Sequence, residues 1–255
     1  MTTARINGIT IHHEVSGDGP AVLMTHGYSS TGRAWAEQHR ALADLYRVIS
    51  WDMRGHGETE SPADPAQYSH DLTVADMRGL LGHLGIERAV IGGLSLGGTM
   101  SLAFYRRHPE MVRALFICDS GPGYRNADAR AEWNQRAEKR AADLETHGLD
   151  VLQSGSRDMR ESMQRHRSSQ GLAHAARGML AQRDSAIIDS LPTIRVPTLV
   201  IVGDRDTPFL APCEYMAKKI PGARLEVIAD AGHSSNLDQP EAFNRVLRSF
   251  LDALP

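Results

Sequence analysis

Cysteine is scarce in this chain: there are 2 among 255 residues, Cys118 inside the apolar run ALFIC and Cys213 after FLAP. Such a small, widely separated pair excludes a disulfide scaffold and a cysteine metal cluster, and both read as free thiols. An excess of one charge is also missing. With 28 basic and 31 acidic residues the formal net charge is −3, which gives nucleic acid or an anionic membrane nothing to hold. No apolar run approaches the roughly 20 residues that span a bilayer. The opening stretch MTTARINGIT lacks the basic start and apolar core of a secretory signal. These absences predict a soluble, cytoplasmic protein with no nucleic-acid and no membrane partner.

What is present is a core. Apolar residues make up 41% of the chain, enough for one enzyme-sized domain. Short aliphatic runs at 10–15, 21–26, 46–52, 88–94, 114–119, 197–203 and 223–229 predict strands, several apolar throughout, as in parallel strands buried on both faces. Stretches at 34–44, 71–85, 98–108 and 240–254 carry apolar residues at helical spacing. Ser69 is placed to cap the second of these, with Asp71 in its first turn. Alternating strands and helices predict an α/β fold with a mostly parallel central sheet flanked by helices. The segment 121–191 is charged, alanine-rich and without strand pattern. It reads as a helical cap inserted before the last two strands, on a core made of 1–120 and 192–255.

The stretch VIGGLSLGGTM places Ser95 between a predicted buried strand and a predicted helix, with glycines at 92, 93, 97 and 98. Glycine permits backbone approach that a side chain would block, so Ser95 can sit on a tight turn at the carboxyl edge of the sheet. The helix start behind it aims N–H groups and positive dipole at the same spot. A serine hydroxyl needs a base, and the base needs a carboxylate to fix its tautomer. His233, in a loop after the last predicted strand, is the candidate base. Asp206, after the strand TLVIVG, is the favoured acid, with Asp119 at the end of ALFICD as a rival; Asp204 is expected to shape its own turn. His12 and His13 point to opposite faces of a strand. His166 and His174 belong to the cap and read as solvated or pocket-lining. The chain order serine, aspartate, histidine is that of one hydrolase architecture.

These residues resemble the α/β-hydrolase superfamily, in its serine-nucleophile branch similar to carboxylesterases and 3-oxoadipate enol-lactonases, and the resemblance covers nearly the whole chain. THGYSS resembles the histidine-glycine oxyanion loop and DMRGHGETE the turn D-x-R-G-x-G-x-S, with Thr59 or Glu60 where the family has serine. The resemblance implies an oxyanion hole from the N–H groups of Tyr28 and Leu96, structural roles for His26, Asp52 and Arg54, and no metal or organic cofactor. It implies a serine hydrolase cleaving a small carboxylic ester or lactone by a Ser-His-Asp acyl-enzyme route. Alternatives are an enol-lactonase or carbon–carbon bond hydrolase and, in another class, a non-catalytic binding protein of the same shape. Leu94, Leu96 and Tyr28 suggest an apolar acyl site. Across 124–184 the charges are balanced, and the arginines, methionines and Trp133 there are expected at the surface or in the core, away from ligand.

Overall fold

A computed structural model describes residues 2–255. Eight strands form one sheet: β1 (Thr2–Ile6), β2 (Ile9–Ser16), β3 (Ala21–Thr25), β4 (Arg47–Trp51), β5 (Ala89–Leu94), β6 (Val112–Cys118), β7 (Thr198–Gly203) and β8 (Arg224–Ile228). Their spatial order is β1-β2-β4-β3-β5-β6-β7-β8. β1 and β2 pair antiparallel, as do β2 and β4, and every other pairing is parallel. β5 and β7 are buried at every residue, as their continuous apolar runs require. β8, at the sheet edge, is only partly buried.

β1 is absent from the sequence-based expectation. Its pattern of burial alternates, and it is joined to β2 by Asn7 and Gly8, both at positive φ, the geometry of a two-residue hairpin turn.

The helices are α1 (Ala36–Leu42), α2 (His70–His83), α3 (Leu96–Arg107), α4 (Ala127–His147), α5 (Arg157–Ser162), α6 (Ser169–Ala175), α7 (Ala186–Ser190), α8 (Thr207–Lys219), α9 (Ser235–Asp238) and α10 (Pro240–Asp252). Ser69 caps α2 by accepting from the Leu72 N–H at 3.1 Å. Trp35 and Leu42 around α1 pack with Phe243 and Leu247 of α10 against one face of the sheet. Met77 of α2, Phe104 of α3 and Met216 of α8 belong to the core of the other face. α8 lies outside the helices expected from the sequence; Pro208 stands in its first turn, where proline is tolerated, and Pro212 lies inside it, where proline is ordinarily disfavoured.

Residues 121–191 contain no strand. α4 buries Ala137, Ala141 and Leu144, one stripe at helical spacing, while most of its other residues are polar or charged. The cap lies tight on the core: a Cβ on Gly178 would stand 2.1 Å from the Tyr68 carbonyl oxygen.

The turn at Ser95 explains its glycines. A Cβ on Gly97 would meet the Thr25 carbonyl oxygen at 2.1 Å, one on Gly93 the Gly97 carbonyl carbon at 2.5 Å, and one on Gly98 the Ser120 Cβ at 2.7 Å. β3, β5 and α3 therefore approach only because those side chains are missing. Gly97→Ala is expected to lower stability by about 3 kcal/mol in urea unfolding, the cost of overpacking against backbone. Gly82→Ala, on an exposed part of α2 with nothing within 4 Å of the new carbon, should raise it by about 0.5 kcal/mol.

Candidate active site

The parallel strands deliver their following loops to one edge of the sheet. β5 ends into Ser95, which has φ 53° and ψ −117°, a conformation L-residues rarely adopt. β7 leads to Asp206 and β8 to His233. The loops bring these side chains together. His233 Nδ1–H donates to Asp206 Oδ2 at 2.8 Å, and Ser95 Oγ–H donates to His233 Nε2 at 2.9 Å; the tautomer follows from the carboxylate being able only to accept. Asp206 is buried. The Phe209 ring lies 4.8 Å from the imidazole, centroid to centroid, and limits its rotation. Phe209 stands on the unexpected α8, so sequence reasoning missed it.

Burial pulls the His233 pKa down, but the hydrogen bond and charge of Asp206, with the charges of Asp119 and Asp158, outweigh it and leave the imidazole above its ordinary 6.5. Asp119, the rival acid, does not reach His233. Its Oδ1 accepts from the Gly203 N–H at 2.8 Å, and its Oδ2 accepts from the Ser235 N–H at 3.1 Å and the Ser235 hydroxyl at 2.5 Å. Full burial pushes its carboxyl up to about 7. Asp119 thus ties the end of β7 to the residue two places after His233. Asp204 accepts from the Ala231 N–H at 3.2 Å and steadies the same loop from the other side.

The loop after β3 carries Gly27 and Tyr28. His26 holds it: Nδ1–H donates to the Gly27 carbonyl at 2.6 Å and Nε2 accepts from the Met53 N–H at 2.9 Å. Among the described residues the N–H groups of Tyr28 and Leu96 have no protein acceptor, so both remain available beside Ser95. The Tyr28 phenol donates to the Leu172 carbonyl of the cap at 2.9 Å. Leu94, expected at the acyl site, is instead fully buried in the core beneath α1 and α10, because β5 alternates its side chains between faces.

The turn after β4 is tied at several points. Asp52 accepts from the N–H groups of Gly32 at 2.7 Å and Glu58 at 2.9 Å, and Arg54 forks onto buried Asp76. Thr59 fills the family's serine position: its hydroxyl donates to the Asp52 carbonyl at 2.7 Å and accepts from the His12 N–H at 2.9 Å.

Above Ser95 and His233 lies a cavity of about 520 Å³. Its cap wall includes Trp133, Arg136, Arg140, Leu144, Asp158 and Met159. Trp133, the two arginines and Met159 therefore correct the expectation that such residues face away from ligand; α4 turns a mixed stripe inward that charge counting along the sequence cannot register. His166, expected to be solvated or pocket-lining, is buried and clamps cap to core. Its Nδ1 accepts from the Gly57 N–H at 2.9 Å and its Nε2–H donates to the Ser29 carbonyl at 3.0 Å. His174 is buried against the Tyr68 ring. The described residues contain no cluster of His, Cys, Asp and Glu able to hold a metal ion, no helix long and apolar enough to cross a membrane, and both cysteines are free and buried.

A sheet of this order, with a serine turn, an aspartate and a histidine at its carboxyl edge, defines the α/β-hydrolase architecture. The profile described as the alpha/beta hydrolase family matches residues 22–246, and the chain belongs to that family. A Bacillus subtilis protein provisionally named a 2-succinyl-6-hydroxy-2,4-cyclohexadiene-1-carboxylate synthase is 28% identical, with 96% of each chain covered. Among solved structures, a thermophilic esterase from Thermogutta terrifontis superposes with TM-score 0.87 at 28% identity, covering 100% of this chain and 99% of that one. The enol-lactonase from Burkholderia xenovorans LB400 does so with TM-score 0.84 at 27% identity, covering 98% and 100%.

The His166 clamp works only while the ring is neutral, since a protonated Nδ1 cannot accept from Gly57. Burial pushes its pKa down to about 4, against 6.5 in the unfolded chain. The unfolded chain takes up the proton first, so the stability this ring contributes is complete above pH 6.5 and is lost as pH falls toward 4. Urea midpoints at pH 7 and pH 4.5 should differ, and His166→Gln should shrink that difference. Part of the slope will remain, because His26 and His56 are also held low by burial.

Proposed function

We propose that this chain is a serine hydrolase that cleaves a small carboxylic ester or lactone through an acyl-enzyme. The observation that carries this is the unbroken relay from Asp206 Oδ2 through the His233 ring to Ser95 Oγ, at 2.8 and 2.9 Å, beside two amides without protein acceptors. Relatives named for esterase and lactonase chemistry support it. Another relative is named as a synthase; two free amides beside Ser95 suit the oxyanion formed from an ester or lactone carbonyl.

On this reading Ser95 Oγ attacks the carbonyl carbon while His233 Nε2 takes the hydroxyl proton. The oxyanion is received by the N–H groups of Tyr28 and Leu96, a contribution of about 3 kcal/mol per donor in sites of this type. Asp206 stabilises the imidazolium. The tetrahedral centre collapses, the C–O bond to the leaving group breaks, and the imidazolium hands its proton to the departing alkoxide. Water then repeats the attack on the acyl-serine, with His233 as base, releasing the acid and restoring Ser95. The cavity volume suits a small molecule, and its walls combine apolar surface from Trp133, Leu144 and Met159 with charge from Arg136 and Arg140.

A panel of short-chain p-nitrophenyl esters tests this. Ser95→Ala is expected to abolish turnover while leaving the urea midpoint near wild type, and a fluorophosphonate should label Ser95 alone by mass spectrometry. Asp206→Asn should lower kcat about 10⁴-fold through the wrong tautomer, and Asp119→Asn far less. The acid limb of kcat/KM should fall above pH 6.5, since the raised His233 pKa must be exceeded before the base is neutral. Normal turnover by Ser95→Ala would remove the proposal.

A further inference from the structure

Four charged side chains around the cavity, Arg136, Arg140, Asp143 and Asp158, are unused by this mechanism, and of these Asp158 is the buried one. Asp158, on α5 of the cap, is 2% exposed and forms part of the wall around Ser95 and His233. Its Oδ1 accepts from the Ser156 hydroxyl at 2.5 Å and from the Ser234 hydroxyl at 2.8 Å. Ser234 follows His233 directly, so the carboxylate is docked on the loop that carries the base. Its Oδ2 accepts from no protein donor among the described residues. The neighbouring arginines are committed elsewhere: Arg157 to Glu161 and the Leu237 carbonyl, Arg160 to the Gly155 carbonyl.

The free oxygen has a defined aim. A Cβ built on Gly27 would lie 3.3 Å from Ser95 Cβ and 3.4 Å from Asp158 Oδ2. Asp158 Oδ2 and Ser95 Cβ therefore both border the notch that Gly27 leaves open and stand no more than about 7 Å apart. Oδ2 opens onto the cavity; once a substrate shuts it off from solvent a half-paired carboxylate is costly, and there it also repels the negative charge that grows on the carbonyl oxygen. A hydrogen-bond donor brought by the substrate to Oδ2 removes the first penalty and, by drawing the carboxylate's charge toward itself, lessens the second.

We propose that Asp158 is a specificity-determining residue whose Oδ2 receives a hydrogen bond from a hydroxyl or N–H group that the substrate carries one or two atoms from its scissile ester. The preferred substrates are then esters or lactones of hydroxy or amino compounds, and a second anionic group at that position is excluded. This rests on the serine-hydrolase function proposed above. A buried charged acceptor discriminates strongly between a donor and its apolar isostere, because the isostere leaves the carboxylate unpaired.

The test compares matched esters on the whole chain: methyl lactate with methyl isobutanoate, methyl 3-hydroxybutanoate with methyl 3-methylbutanoate, and 2-hydroxyethyl butanoate with propyl butanoate. The first two pairs carry the donor on the acyl side and the third on the leaving side. The wild type should favour the hydroxylated member of at least one pair by about 10–100-fold in kcat/KM. Asp158→Leu should bring that ratio close to one, and Asp158→Asn, of the same shape, serves where leucine is not accommodated. A merely structural role would lower both members of a pair together and leave the ratio unmoved. Labelling of Ser95 by fluorophosphonate reports an assembled site in every variant. A labelled wild type with ratios near one in all pairs, or an unchanged ratio in the variants, overturns the role of Asp158 alone. A wild type that is not labelled overturns it together with the serine-hydrolase proposal.

Discussion

The backbone of Ser95 is the constraint from which the site follows. A non-glycine residue at φ 53° and ψ −117° holds strain of order 1–3 kcal/mol, and such a residue persists only where its surroundings leave no alternative. Here they do not. The Ser95 N–H is fixed to the Cys118 carbonyl at 2.9 Å, its carbonyl accepts from the Ser120 hydroxyl at 2.6 Å, and Gly93 and Gly97 let β3 and α3 close on it from both sides. The turn that lifts the hydroxyl above the sheet also begins α3, so the unpaired Leu96 N–H is a consequence of the same bend.

Around the single imidazole of His233 the fold gathers buried carboxylates with separate tasks. Asp206 bonds to the ring. Asp119 bonds to backbone and hydroxyl donors and positions the loop, and its full burial pushes its carboxyl up to about 7. Were both fully ionised with equal access to the ring, their mutual repulsion would work against either role. Donor geometry divides the work: Asp119 sits at the end of a central strand, where amides and hydroxyls converge, and Asp206 one strand outward, where the ring arrives.

Much of this was legible in the sequence, and what escaped did so for particular reasons. Continuous apolar runs marked the buried parallel strands, and the spacing of glycines about Ser95 marked the turn, because both are local patterns. β1 carried a readable signal in Asn7-Gly8 that its polar strand obscured. α8 was hidden by Pro212, which the fold tolerates inside the helix, and Phe209 was hidden with it. Leu94 stands next to Ser95 in sequence, yet pleating sends it to the opposite core. His166 and Asp158 gave no signal at all: their roles depend on Gly57, Ser29 and Ser234, partners set by how the cap docks and not by anything within reach along the chain.

That docking makes the cap part of the site instead of a cover for it. His166 grips the Ser29 carbonyl in the loop that offers the Tyr28 N–H, Tyr28 in turn holds the Leu172 carbonyl, and Asp158 rests on Ser234 beside His233. A change in the cap that shifted these contacts would move the Tyr28 loop and His233 together, even with Ser95 untouched. The sheet therefore fixes where Ser95 stands, and the cap, through the His166 ring and the Asp158 carboxylate, packs against the loops on either side of it. On the proposed function, substrate preference and catalytic geometry would not vary independently, because the same few cap residues touch the loops of both Tyr28 and His233.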